Sequence, residues 1–130
     1  MSTTTEIGRF GERAAAKYLL KKGYKITAKN YHASHYEIDI VAENESTVVF
    51  VEVKTRESKN ASIYGSAAES VTYSKRSRTL SASRSYLYEN GNPEEKEIRF
   101  DVIEVYIKKI RFSPFPVIES INHIEDAFRG

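Results

Sequence analysis

The stretch Tyr36-Glu37-Ile38-Asp39-Ile40-Val41-Ala42, Glu43-Asn44-Glu45-Ser46, Thr47-Val48-Val49-Phe50-Val51-Glu52-Val53-Lys54 decides the architecture. Two β-branched, apolar runs separated by a short polar turn make an antiparallel hairpin. In the second run Val49, Val51 and Val53 fill one face while Val48 and Phe50 begin the other. A strand apolar on both faces wants cover on both, which places it in the centre of a sheet between layers of helix.

Working outward, Thr5 to Lys22 has helical periodicity, with Ile7, Phe10, Gly11, Ala14, Ala15 and Tyr18 on one stripe. Lys21-Lys22-Gly23 supplies the cations and the glycine that end a helix, and either Thr3 with Glu6 or Thr5 caps its start. Tyr24, Ile26 and Ala28 alternate as a strand, and Asn30 to Ser34 reads as a loop. Thr55 to Ser70, small and polar, reads as a loop bending over the sheet. Thr72 caps a second helix through about Tyr88, stopped by Asn90-Gly91-Asn92-Pro93. Glu97 to Tyr106 is a strand that Ile107–Phe112 extends or follows with another, and the tail through Phe128 carries no assigned element. The expectation is an α/β fold: a mixed β-sheet flanked by helices in the order αβββαβ, forming one domain over 1–130.

The 130 residues are 40% hydrophobic and 29% charged, ordinary values that argue against disorder. With 20 Lys+Arg against 18 Asp+Glu, the net charge of +2 excludes an indiscriminate polycation. The absence of Cys excludes disulfide scaffolds, Cys-based zinc sites and a cysteine nucleophile. No signal-like or membrane-spanning run occurs, so a soluble, cytoplasmic protein is expected. The basic excess concentrates between residues 58 and 90, where five basic residues face two acidic ones. Lys75, Arg76 and Arg78, aided by Arg56, are the candidate phosphate contacts.

The four-residue turn implies a register pairing Ala42 with Thr47, which places Asp39, Glu52 and Lys54 on one face. Asp39 and Glu52 are then diagonal neighbours, about 7 Å apart at the backbone. Two carboxylates on a covered sheet repel each other and lose hydration, and a cation relieves both penalties. An oxygen-only site of one or two carboxylates suits Mg²⁺, which keeps waters and takes phosphate as a further ligand. Lys54 stands where an ammonium can stabilise phosphate charge or orient a water. The plain alternative is a Glu52–Lys54 ion pair at a strand end with Asp39 as an edge acid; three charges among such apolar positions weaken it. Glu12, with Gly8, Ala15 and Ala16 as helical neighbours, is a further candidate, or an ordinary flank glutamate. Arg99 and Asp101 read as a structural ion pair.

Asp39 followed by Glu52-Val53-Lys54 resembles the PD-(D/E)XK nuclease motif. Gly8-Arg9-Phe10-Gly11-Glu12, Gly23-Tyr24, Glu37-Ile38-Asp39, Val49 through Arg56, Lys75-Arg76, Arg99-Phe100-Asp101-Val102 and Ala127-Phe128 occur in the order seen in the YraN-like family of small bacterial proteins, so the chain resembles that family over nearly its whole length. The resemblance implies kinship with archaeal Holliday junction resolvases and a restriction-endonuclease-like core. It implies that Glu12, Asp39, Glu52 and Lys54 are catalytic, that Asp39, Glu52 and Glu12 hold Mg²⁺ or Mn²⁺, that the substrate is DNA, and that the protein pairs as a homodimer. Tyr36 stands where that family usually has Gly, as a stacking platform for an unpaired base or as a rim aromatic. The competing reading is a non-catalytic nucleic-acid-binding or interaction module that retains the nuclease core.

Overall fold

In the computed structural model the described residues are 4–58, 73–91 and 95–128. The elements run α1 (Thr4–Lys21), β1 (Lys25–Ala33), β2 (Tyr36–Glu43), β3 (Thr47–Glu57), α2 (Tyr73–Asn90), β4 (Glu97–Lys108) and β5 (Val117–Ile124). They form a mixed five-stranded sheet in the order β1-β2-β3-β4-β5, in which β3 and β4 are parallel and every other neighbouring pair is antiparallel.

The two-faced strand is central, as its pattern predicts, and each face has its own core. Val49 and Val51 pack with Ala15, Ala16 and Leu19 of α1 and with Ile103 and Val105 of β4. Val48 and Phe50 pack with Ala82 and Tyr86 of α2 and with Phe100, Val102 and Phe128. The α1 stripe supplies Ile7, Phe10, Ala14 and Tyr18 to the first core. Gly23, at φ 95°, ends the helix: its amide donates to Leu20 and that of Tyr24 to Leu19, the paired bonds of a Schellman motif.

Three sequence expectations need correction. The order is αβββαββ, because Val117–Ile124 adds an edge strand, β5, where no element was assigned. Asn30 to Ala33 is strand, not loop: Tyr31 pairs with Ile38 and Ala33 with Tyr36, so the turn narrows to Ser34-His35. The β2–β3 register is Ala42↔Val49, two residues from the expected pairing with Thr47. Asn44 explains the slip. Its side-chain oxygen accepts from the amides of Ser46 (3.0 Å) and Thr47 (2.9 Å), which folds Thr47 into the turn and starts pairing at Glu43↔Val48. A two-residue slip by itself moves no side chain to the other face, so Glu52 and Lys54 stay on one face, but the break in alternation between Ile38 and Ile40 takes Asp39 out of that pattern.

Thr3, Thr72, Asn92, Pro93 and most of the expected loop over the sheet lie outside the described residues. Thr55 to Glu57 of that expected loop continue β3.

Candidate metal and nucleic-acid site

The site forms where β2 and β3 part. Their ladder runs from Glu43↔Val48 to Ile40↔Val51 and stops. Beyond it the Asp39 carboxylate takes the place of the missing backbone partner, its Oδ2 accepting from Val53 N at 2.8 Å. Asn30, opposite Asp39 on β1, has φ 50°, and the strand alternation breaks there: Ile38 joins the α2-side core while Ile40 joins the α1-side core. This local kink, absent from a period-two reading, aims Asp39 at the gap between the strands.

Burial pushes the Asp39 carboxyl up to about 7, and repulsion from Glu52 adds to the rise. The Val53 amide offsets part of it, and Glu12 and Glu37 add smaller repulsions. Glu12 is tied to the same cluster through Asn30: with the Asn30 amide turned so that its nitrogen faces the surrounding acceptors, that nitrogen donates to Glu12 Oε2 (3.2 Å) and Glu37 Oε1 (3.1 Å). The helix comes this close because Gly11 abuts Thr55: a Cβ at position 11 would meet Thr55 Oγ1 at 1.8 Å. Glu52 and Lys54 form an ion pair at 3.3 Å, with side chains only 12% and 21% exposed. The structure thus brings together Glu12, Asp39, Glu52 and Lys54.

The sequence reading missed Glu104. It is fully buried on the face that Phe100 and Val102 begin, in register with Lys54. Its carboxylate accepts from Tyr106 Oη and from Asn122 Nδ2 (2.8 Å). Hydrogen bonding to Glu104 lifts the Tyr106 phenol to about 12, with burial adding to the rise. The available signal was an acid between Ile103 and Val105 in an otherwise apolar run.

The expected phosphate contacts are spread out. Arg56 is half-buried on β3, Arg76 and Arg78 are exposed on α2, and Arg76 lies 5.7 Å from the Phe128 ring. Lys75 belongs to α2, but its side chain lies outside the described residues. Tyr36 is half-buried against the α2-side core, the position of a rim aromatic.

Arg99 and Asp101 do pair. Arg99 Nε and Nη2 donate to the two Asp101 oxygens at 2.9 Å each, and His123 Nε2 stands 2.6 Å from Oδ2. Tyr18 Oη meets His123 Nδ1 at 3.1 Å, and Arg99 Nη2 also donates to Tyr24 Oη at 2.8 Å, tying α1 and the start of β1 to β4 and β5.

Among the described residues no group of three His, Asp or Glu is placed to hold a metal ion. A cation between β2 and β3 would meet the carboxylates of Asp39 and Glu52, with Glu12 the third expected ligand acting on the same Asp39. That is how Mg²⁺ binds, completing its shell with water and phosphate. The donor set fits such an ion: the donors are hard oxygens, and the described charged neighbours that act on the Asp39 carboxyl are acids, which disfavour its ionised form. No described helix is long and apolar enough to cross a membrane.

The sequence profile described as "Uncharacterised protein family UPF0102" matches residues 11–105. Among similar proteins, a UPF0102 protein of Clostridioides difficile is 43% identical over 95% of this chain and 96% of its own. One of Chlorobium chlorochromatii is 42% identical over 98% and 94%, and one of Caldanaerobacter subterraneus 39% over 94% and 93%.

Proposed function

Since the chain belongs to the uncharacterised protein family UPF0102, whose description names no activity, we propose from the site itself that it is a metal-dependent nuclease hydrolysing phosphodiester bonds in DNA, at branched or single-stranded structures. The observation that carries this reading is the Asp39 carboxyl, raised to about 7 beside Glu52 where β2 and β3 separate, with Lys54 held 3.3 Å from Glu52. A desolvated carboxyl whose described charged neighbours are other acids is one that a bound cation relieves.

Asp39 and Glu52 would hold Mg²⁺ or Mn²⁺, which when bound supplies charge stabilisation to a phosphodiester under attack. Lys54 places an ammonium beside the same position, oriented by Glu52, to neutralise a phosphate oxygen or align the attacking water. Glu12, which reaches the same cluster through Asn30 and repels Asp39, would be the third acid to hold the ion. Exposed Arg76 and Arg78 on α2 offer phosphate contacts away from the reacting group. The restriction-endonuclease-like core fits the first six elements, with β5 as an addition at the sheet edge.

The test incubates purified protein with linear duplex, single-stranded and four-way-junction DNA, with Mg²⁺ or Mn²⁺, beside Glu52→Ala and Lys54→Ala. The expected result is cleavage that needs the metal and falls at least a hundredfold in either variant, as loss of a charge-stabilising group does, on the order of 10²–10³. Cleavage untouched by both substitutions would reject the site. Binding to DNA without cleavage of any substrate would establish the non-catalytic module instead.

A further inference from the structure

The connection between β4 and β5, Lys109 to Pro116, exposes what an ordinary surface hides. Phe112 is 94% exposed and Phe115 72%, whereas among the other described aromatics Tyr88 alone is exposed. Phe112 sits at φ 66°, a left-handed conformation that bulky side chains rarely adopt. The turn is nonetheless well bonded. Ser113 N donates to Ile110 O at 3.1 Å, and Ser113 Oγ bonds both the amide and the carbonyl of Phe115 at 3.2 Å. Pro114 and Pro116 further restrict the backbone. Two phenyl rings are therefore held outward by a stiff loop.

Their surroundings are basic. Lys108, Lys109 and Arg111 lie in the same stretch, and no acid occurs between residues 105 and 118. The Arg111 guanidinium stands 5.0 Å from the centre of the Phe112 ring. Across a cleft of about 450 Å³, α1 contributes Arg9, Phe10 and Arg13 to the wall that faces Phe115. Three acids temper the charge: Glu6 lines that cleft, Glu57 pairs with Lys109 at 3.1 Å, and Glu119 lines a groove with Lys108 and Lys109. Aromatic faces set among cations are the recognition chemistry of single-stranded nucleic acid, where bases stack on rings and cations follow the phosphates.

The position connects with the candidate site. β3 and β4 are parallel and in register, Lys54 facing Glu104 and Glu57 facing Ile107. Lys108 is thus about 13 Å beyond Glu104 along the strand. That span is about four stacked nucleotides.

We propose that the β4–β5 connection is a stacking platform for unpaired bases, with Phe112 and Phe115 as the ring surfaces and Lys108, Lys109, Arg111, Arg9 and Arg13 as phosphate contacts. The proposal rests on the nuclease reading for its substrate, which it narrows to DNA with a single-stranded segment next to the scissile bond. It is measured by binding alone. The surface is separate from the α2 arginines, so it adds a second contact on the side of the sheet that α1 covers.

The chain has 9 Tyr but no Trp, so Phe112→Trp introduces a lone indole, excited selectively at the red edge of the aromatic absorption, on an exposed side chain. In EDTA, which prevents cleavage, oligo-dT is expected to quench the emission of Phe112→Trp while a blunt duplex of equal length leaves it nearly unchanged. By fluorescence anisotropy, Phe112→Ala and Phe115→Ala are each expected to weaken oligo-dT binding by about fivefold to a hundredfold, the range that stacking on one aromatic gives. Phe112→Trp should preserve affinity, and melting temperatures near wild type would show that the variants fold. Absence of quenching together with unchanged affinity in both alanine variants overturns the platform. So does a dimer, seen by sedimentation, that Phe112→Ala dissociates without altering oligo-dT affinity, because the rings would then serve a second copy of the chain. Cleavage that survives without quenching rejects the platform alone, whereas quenching without cleavage on any substrate rejects the nuclease reading and keeps the platform.

Discussion

Two aspartates, Asp39 on β2 and Asp101 on β4, are both withdrawn from water and have opposite chemistry. Asp101 is fully buried. Burial works against its charge, yet bonds from His123, Arg99 and the Asp126 amide (2.9 Å) prevail and hold the carboxyl below the usual range. Asp39 accepts one backbone amide and otherwise faces Glu52, Glu12 and Glu37, so burial and repulsion carry it up to about 7. Burial therefore does not by itself make a carboxyl reactive. What separates the two is the charge of the described neighbours: around Asp101 they include Arg99 and His123, and around Asp39 they are the acids Glu52, Glu12 and Glu37.

The comparison breaks most sharply at Asp101. Asp101→Ala would leave the guanidinium of Arg99, whose side chain is 13% exposed, with the half-exposed Glu125 carboxylate at 3.8 Å in place of its close pair, and His123 without its Nε2 partner. Removing one partner from a buried pair costs about 3–5 kcal/mol, a large part of the roughly 5–15 kcal/mol a domain has. Urea unfolding at neutral pH should show it, and a loss under about 1 kcal/mol would mean that the pairing holds little together. The second break is at Gly11, where α1 crosses Thr55 beside the site. Gly11→Ala must displace Thr55 or lift the helix, and after the better helix propensity of Ala a net loss of about 1–2 kcal/mol is expected. Adding Thr55→Ala should recover part of that loss in a double-mutant cycle.

Most of the framework was legible because its elements follow one period each. The α1 stripe, the two-faced β3 and the strand at Glu97 each bury a continuous set of apolar residues, and the pattern reports that directly. What stayed illegible depends on single irregular residues. β5 escapes because a bulge on it, between Tyr106↔Ser120 and Ile107↔Ile118, interrupts the alternation, and because an edge strand shows few buried side chains. The end of β1 escapes because Asn30 adopts a positive φ, which makes Asn30 to Ala33 look like a loop. The register escapes because a side chain, Asn44, sets the turn. The candidate acids could be named from acid-x-Lys spacing, but their closeness could not. It arises from the parting of β2 and β3 and from contact between Gly11 and Thr55, neither of which has a sequence period.

Asp39→Asn sharpens the same comparison with the smallest change and the opposite sign. The native carboxyl releases its proton near 7, whereas an unfolded aspartate does so near its ordinary 3.8. Between those values the native state binds more protons than the unfolded state, so this residue makes stability decline as pH rises from about 4 to about 7. Asparagine keeps an oxygen to accept from Val53 N and removes the charge, so the metal-free variant should lose that slope. At pH 8 it should be more stable than wild type by about 1 kcal/mol, below the full linkage value because solvent and neighbouring protons relax part of the repulsion. Asp101→Asn should do the reverse: the wild-type benefit exists above the ordinary carboxylate range and disappears as pH falls through the lowered native value, so the variant is the less stable at neutral pH. Mg²⁺ then separates the two aspartates a second time. A cation that binds only the folded protein raises its unfolding midpoint, and that rise should be lost in Asp39→Asn. Should Asp39→Asn instead destabilise the metal-free protein at pH 8, the carboxyl is compensated within the chain, and no gap remains for a cation to fill.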